Sequence, residues 1–208
     1  MRAVLPCLAA ASLLSAAPVG AQTPMRKVEL MSGDSLASFP WTSLAADPRG
    51  DGLKARLPDA KEFFYTIDAK ADLVWFKVVI WDAVPEDWFG ISVAFDSDDK
   101  PDNGMTWWGT NKTKFDRIAC AFLFKADDHW QGYAGVGDSE SIGRGNMTNL
   151  TTDVRVAVDR GQRALAIGVP RAALGAATTI RALATVGSMV ANNDDVPNEG
   201  MVTVKLKP

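Results

Sequence analysis

Residues 154–169 read "VRVAVDRGQRALAIGV". Apolar side chains recur at every second position on either side of a polar turn, and that alternation decides the fold. Successive side chains of an extended chain point to opposite faces, so Val154, Val156 and Val158 share one face. Beyond the turn at Asp159–Gln162, Leu165, Ile167 and Val169 share another. The stretch reads as a hairpin with one core face.

Working outward, the same pattern predicts strands near 28–31, 62–68, 73–82, 90–96, 115–125, 130–136, 153–159, 163–169, 178–187 and 200–206. Gly, Pro, Asp and Asn punctuate them. No window of a dozen residues carries a helical stripe, and "PRAALG" at 170–175 offers only a single turn. Many short strands with turn signals between them predict an all-β fold, an antiparallel β-sandwich. In the 115–125 strand, Ile118, Cys120, Phe122 and Phe124 form one face, and Arg117, Ala119, Ala121 and Lys125 the other. Cys120 lies on the apolar face and reads as a small core hydrophobe. Residues 32–60 read as loop with little regular structure.

The first residues read differently. "MRAVLPCLAAASLLSAAPVGAQ" carries Arg2, then an Ala- and Leu-rich run ending in Val19-Gly20-Ala21. This is the pattern of a secretory signal peptide over residues 1–21, so the chain is expected to be exported, to a periplasmic or extracellular location. Residues 22–208 then form one β-sandwich domain, with 22–60 as its loop-rich N-terminal segment. Losing Arg2 reduces the 22 basic residues to 21 against 25 acidic ones, a formal charge of −4. A mildly acidic domain without a basic run predicts no nucleic-acid partner, and no later segment is apolar enough for membrane insertion. Cys120 is the one cysteine left, so no intrachain disulfide can form.

Two segments carry candidate chemistry. In strand 73–82, "LVWFKVVIWD", Val74, Phe76, Val78 and Ile80 make a normal core face. Trp75, Lys77 and Trp81 stand on the opposite one, either beneath a covering loop or as an aromatic platform. Residues 95–111, "FDSDDKPDNGMTWWGTN", place an acidic cluster beside a tryptophan pair. Asp96, Asp98 and Asp102 have the alternating oxygen spacing used by hard cations, and Asn103-Gly104 supplies a turn. Calcium there, completed by Asp194 or Asp195 of "NNDDVPNEG", stands beside the plain reading of a polar hairpin loop.

The aspartate-rich turn followed by "NG" and an aromatic segment resembles a loop of secreted β-sandwich modules. "ALAIGVPRAALG" (164–175) and "VGSMVANNDDVPNEGMVTV" (186–204) are similar to later segments of the same modules. Together, over roughly residues 60–207, they resemble the DOMON-like superfamily, which includes family 9 carbohydrate-binding modules and b-type haem domains. The turn here reads Asp102-Asn103-Gly104 where those modules carry Thr-Gly. The resemblance implies a jelly-roll-like topology and a non-catalytic carbohydrate-binding role. Trp107, Trp108 and Asn111 are the first candidate ligand contacts, and Trp75, Lys77 and Trp81 the second. Extended geometry would send Trp107 and Trp108 to opposite sides.

Other chemistries narrow quickly. The single histidine, His129, sits in a predicted turn, and there is no G-x-S-x-G elbow for a serine hydrolase. One His and one Cys cannot make a zinc site. Covalent haem needs C-x-x-C-H, which is absent. Non-covalent b-type haem remains the alternative function, with axial candidates among Met105, Met147, Met189, His129 and Lys77. A carboxylate-based glycoside hydrolase is a second alternative, without a pair singled out.

Overall fold

The structure, a computed structural model, describes residues 24–54, 56–188 and 191–207. The expected signal peptide and Met189 lie outside the described residues. In chain order the first elements are β1 (Arg26–Lys27), β2 (Leu30–Ser32), α1 (Asp34–Ala37), β3 (Thr42–Ala46), β4 (Ala60–Asp68), β5 (Leu73–Ile80) and β6 (Trp88–Asp96). There follow β7 (Met105–Thr106), β8 (Lys114–Phe115), β9 (Arg117–Ala126), β10 (His129–Asp138) and α2 (Ser139–Gly143). The chain ends with β11 (Arg155–Asp159), β12 (Ala164–Pro170), β13 (Thr179–Ser188), β14 (Ala191–Val196) and β15 (Val202–Lys205). "PRAALG" makes one 3₁₀ turn, Arg171–Leu174.

The alternating hairpin forms as the pattern requires. β11 and β12 pair antiparallel with Val156 opposite Ile167 and Val158 opposite Leu165. Asp159 closes the turn by accepting the Gln162 N–H at 2.9 Å. These strands belong to a six-stranded sheet ordered β2-β11-β12-β5-β4-β3. A seven-stranded sheet runs β1-β10-β9-β6-β13-β14, with β15 pairing the first half of β13. All pairings are antiparallel except β2 with β11. β7 and β8 form a separate small hairpin.

The two sheets pack face to face around one apolar core, which makes the molecule an antiparallel β-sandwich. Phe63, Val74, Phe76, Val78, Leu165 and Ile167 of the six-stranded sheet meet Phe89, Ile91, Val93, Phe95, Ala182 and Val186 of the other. Phe76 and Phe95 touch across the gap with ring centroids 5.2 Å apart. Among the described residues no helix is long and apolar enough to cross a membrane.

Both sheets carry cover on their outer faces, and on one of them the cover changes a strand reading. On β9 the alanine face turns inward: Ala119, Ala121 and Leu123 join the inter-sheet core. Ile118, Cys120 and Phe122 are buried on the outside, beside Gly137, Gly135 and Gly90 on neighbouring strands. The glycines let segment 147–151 lie directly on the sheet. A Cβ at Gly135 would stand 2.6 Å from the Thr151 carbonyl oxygen. Residues 32–60 carry little regular structure, as expected, but they do more than connect. They supply α1 and β3, and Leu36, Phe39 and Trp41 cap the outer face of β5 over Leu73 and Trp75. Gly168 faces Trp75 in register, and any Cβ there would meet the indole at 2.8 Å.

Candidate functional site

β14, "ANNDDV", is a strand made largely of polar residues, and its two aspartates serve opposite sides. Asp194 Oδ2 accepts the Ala60 N–H at 2.6 Å, reaching across to the start of β4. Asp195 reaches the tryptophan loop. Its Oδ1 accepts the Trp107 Nε1–H at 2.9 Å, and its Oδ2 accepts the Thr110 hydroxyl and the Asn111 N–H, both at 3.0 Å. Both aspartates are almost fully buried.

Asp195 therefore organises the loop that the sequence singled out. Gly109 must be a glycine, since a Cβ would lie 2.2 Å from Asp195 Oδ2 and 2.5 Å from Trp107 Nε1. Asn111 is buried and spends its side chain on the backbone. Its Nδ2 donates to the Pro197 and Gly200 carbonyls at 3.0 and 2.7 Å, and its Oδ1 accepts the Thr113 N–H. The loop is thus tied to the turn after β14 at several points. Trp107 is buried, whereas Trp108 is 40% exposed. Their rings do not point to opposite sides. They stack at 4.6 Å, and both meet Phe115 edge-on. The chain at Trp107 and Trp108 is not a strand, so the alternation rule does not govern it. The far end of the same loop borders an open recess of about 470 Å³, lined by Thr110, Asn111, Lys112, Thr113, Asn198, Glu199 and Gly200; Trp108 is not part of its lining.

On the other side of β14 four carboxylates gather. One oxygen each of Asp47, Asp51 and Asp194 lies within 4.8 Å of the other two. Asp59 adjoins them, accepting the Gly50 N–H at 2.7 Å through Oδ2. Burial pushes the Asp47 carboxyl up to about 8, and the negative charges of Asp194, Asp51 and Asp59 add to it. Burial also raises Asp194, to about 7, against the lowering effect of the Ala60 N–H. The segment carrying Asp47 and Asp51 is docked on β14. Leu53 N–H donates to the Asn193 carbonyl and Lys54 N–H to the Asn193 side chain.

The remaining predicted residues are spread out. Asp96 is buried and paired with Arg181. Asp98 is exposed, held below its ordinary value by the Asn103 amide and the Lys100 ammonium and N–H. Asp102 is exposed, and its carbonyl accepts the Lys114 ammonium at 2.7 Å. Among the described residues, the group of three metal-type donors is Asp47, Asp51 and Asp194, so Asp194 is the one predicted ligand that belongs to it. On β5, Trp75 is buried under Phe39. Lys77 is buried too, its Nζ 4.3 Å from the Trp41 ring and 4.5 Å from the Phe64 ring, and burial lowers its pKa. Trp81 is half-buried beyond the end of β5, with Lys61 Nζ 4.9 Å from its ring. These three side chains do not form one platform.

Asp47, Asp51 and Asp59 were not singled out by the sequence reading. "DPRGD" at 47–51, two aspartates around a Pro and a Gly, is the signal that marks the first two. Asp59 carries no such signal. Comparison of the chain with protein-family models, with curated proteins and with solved structures found no match.

Proposed function

We propose that this chain is an exported, non-catalytic carbohydrate-binding β-sandwich of the DOMON-like kind, with Trp108 as its main contact. The observation that carries the reading is the exposed Trp108 indole, supported from beneath by Trp107 and Phe115, on a loop whose later residues, Thr110–Thr113, border a polar recess. A sugar ring offers a flat C–H face that stacks on indole, and its hydroxyls need fixed polar partners. Asn111, Lys112, Thr113, Asn198 and Glu199 line that recess and offer such partners. Trp107, Asn111 and Asp195 act as supports, because each is buried. A rigid, preformed surface suits a weak, hydroxyl-rich ligand, since little ordering cost is left for the binding event.

The test is a pull-down against a broad panel of insoluble polysaccharides, followed by titration calorimetry with soluble oligosaccharides. Trp108→Ala should weaken binding by about tenfold or more, equivalent to ~1.4 kcal/mol. Trp81→Ala should leave it unchanged. No binding across the panel, or binding lost in Trp81→Ala and kept in Trp108→Ala, rejects the reading. Release of reducing ends from a bound glycan would replace the binding module by a hydrolase. A Soret band after purification with haem supplied would replace it by a haem protein.

A further inference from the structure

We propose that Asp47, Asp51 and Asp194, with Asp59 beside them, form a binding site for one calcium-class divalent cation where the edges of the two sheets meet. The group is more than an acidic cluster. Asp47 is only 5% exposed, and no N–H or hydroxyl reaches either of its carboxylate oxygens, whose close polar neighbour is the Asp51 carboxyl. Asp59 Oδ1 is likewise buried without a partner. Among the described residues none of the four carboxylates is in an ion pair, and the nearby Arg49 pairs with Asp82 instead. Buried carboxylates without partners are costly, because each loses its hydration and nothing replaces it. Asp194, Asp51 and Asp59 Oδ2 each accept one hydrogen bond, so the unmet demand sits on Asp47 and on Asp59 Oδ1, and a shared cation would meet it while neutralising the whole group.

The geometry and the donor set select the ion. Two oxygens bound to one Ca²⁺ at 2.3–2.6 Å can be separated by no more than roughly twice that distance, about 5 Å. The three oxygens meet this limit. Every donor is a hard oxygen, which argues against zinc, whose sites are built mainly on His and Cys with carboxylates as a minority of the ligands. Magnesium keeps several waters and takes one or two carboxylates, whereas calcium accepts three or four. The calcium expected at the 96–102 loop is thereby proposed at a different set of carboxylates, with Asp194 common to both.

The position gives the ion a task. Asp47 follows β3, and Asp59 precedes β4, in the six-stranded sheet. Asp194 lies on β14 of the other sheet. A cation there ties both sheets and the 47–54 segment together. The residue after Asp194 is Asp195, which holds the Trp107–Asn111 loop. The cation site stands whether or not Trp108 binds sugar, and its test involves no sugar.

Protein stripped with a chelator is titrated with Ca²⁺ and with Mg²⁺ by calorimetry, and its melting temperature is followed over the same range. One Ca²⁺ per chain is expected, with a Kd of about 10⁻⁴–10⁻³ M, weaker Mg²⁺ binding and a rise in melting temperature. Asp51→Asn, on the exposed ligand, should fold and weaken Ca²⁺ binding by roughly tenfold or more. Asp47→Asn should abolish it, and Asp98→Asn should leave it unchanged. The proposal is overturned if neither ion binds up to ~10 mM. It is equally overturned if Asp98→Asn removes binding while Asp51→Asn keeps it. If Asp47→Asn raises the melting temperature and calcium does nothing to the parent protein, the cluster is a set of protonated carboxyls.

Discussion

Asp195 and Trp107 are 88 residues apart in the chain and joined by one hydrogen bond of 2.9 Å between a buried carboxylate and a buried indole N–H. The same carboxylate serves Thr110 and Asn111, so three donors depend on one side chain. Asp195→Ala would leave the indole and amide N–H groups buried without an acceptor. The expected loss is about 3 kcal/mol, read from urea unfolding, with a red shift in tryptophan emission as the loop loosens. An unchanged midpoint would show that the loop is held by its other contacts.

The stacked tryptophans should be unequal. Trp107→Ala empties a buried site and should destabilise by about 3–5 kcal/mol. Trp108→Ala removes a ring that is 40% exposed and should cost about 1 kcal/mol or less. Equal losses by chemical denaturation would mean that Trp108 is a packing residue, and its role as a contact surface would fall with that.

Stability of the metal-free protein should decline with rising pH. The Asp47 carboxyl is raised from 3.8 to about 8, and Asp194 from 3.8 to about 7. Between about pH 4 and pH 8 the folded chain therefore holds protons that the unfolded chain has released. The unfolded state binds fewer protons in that window, so unfolding becomes easier as pH increases. Melting curves in chelator should shift down from about pH 5 to about pH 8, and Asp47→Asn should flatten the trend. A melting temperature that rises over this window contradicts the burial of these groups.

Gly168→Ala tests the cover over the six-stranded sheet. The new methyl would meet the Trp75 indole at 2.8 Å, and the ring is enclosed by Phe39 and the flanking segment. Overpacking of this kind costs about 1–3 kcal/mol. A neutral result would indicate that residues 36–41 yield readily.

Cys120 should be silent in the folded state. It is fully buried, and burial pushes its thiol up to about 12, so almost no thiolate exists at neutral pH. Thiol reagents should label it only above the unfolding midpoint of denaturant. Rapid labelling without denaturant would reveal opening of segment 147–151.

Where apolar residues alternate, the strands could be read from the sequence: β5, β6, β11, β12 and β13 lie close to their predicted positions. β14 could not. Its buried aspartates accept hydrogen bonds from segments far away in the chain, and a polar pattern gives no hint of such partners. The inward face of β9 was concealed for a related reason. Alanines face the core because Phe63, Phe76 and Phe95 already fill it, while the larger side chains find cover in a distant loop. The acidic group combines residues 47, 51, 59 and 194, and only folding reveals that β14 lies beside the end of β3. Trp108 could be read as a candidate contact, but its stacking on Trp107 could not.

The parallel pairing of β2 with β11, which sets Leu30 against Val156, also constrains how the chain can acquire its shape. During synthesis β2 waits for a partner that appears more than a hundred residues later, and the Leu36–Trp41 cover waits equally long for Ala157 and Ala166. Residues 30–41 therefore cannot mature ahead of the second half of the chain as it leaves the ribosome. Their aromatic side chains stay unprotected until the second half has emerged, and long-range pairing of this kind is slow. A holding chaperone that binds Phe39 and Trp41 in that interval would shield the nascent chain at its most adhesive stretch.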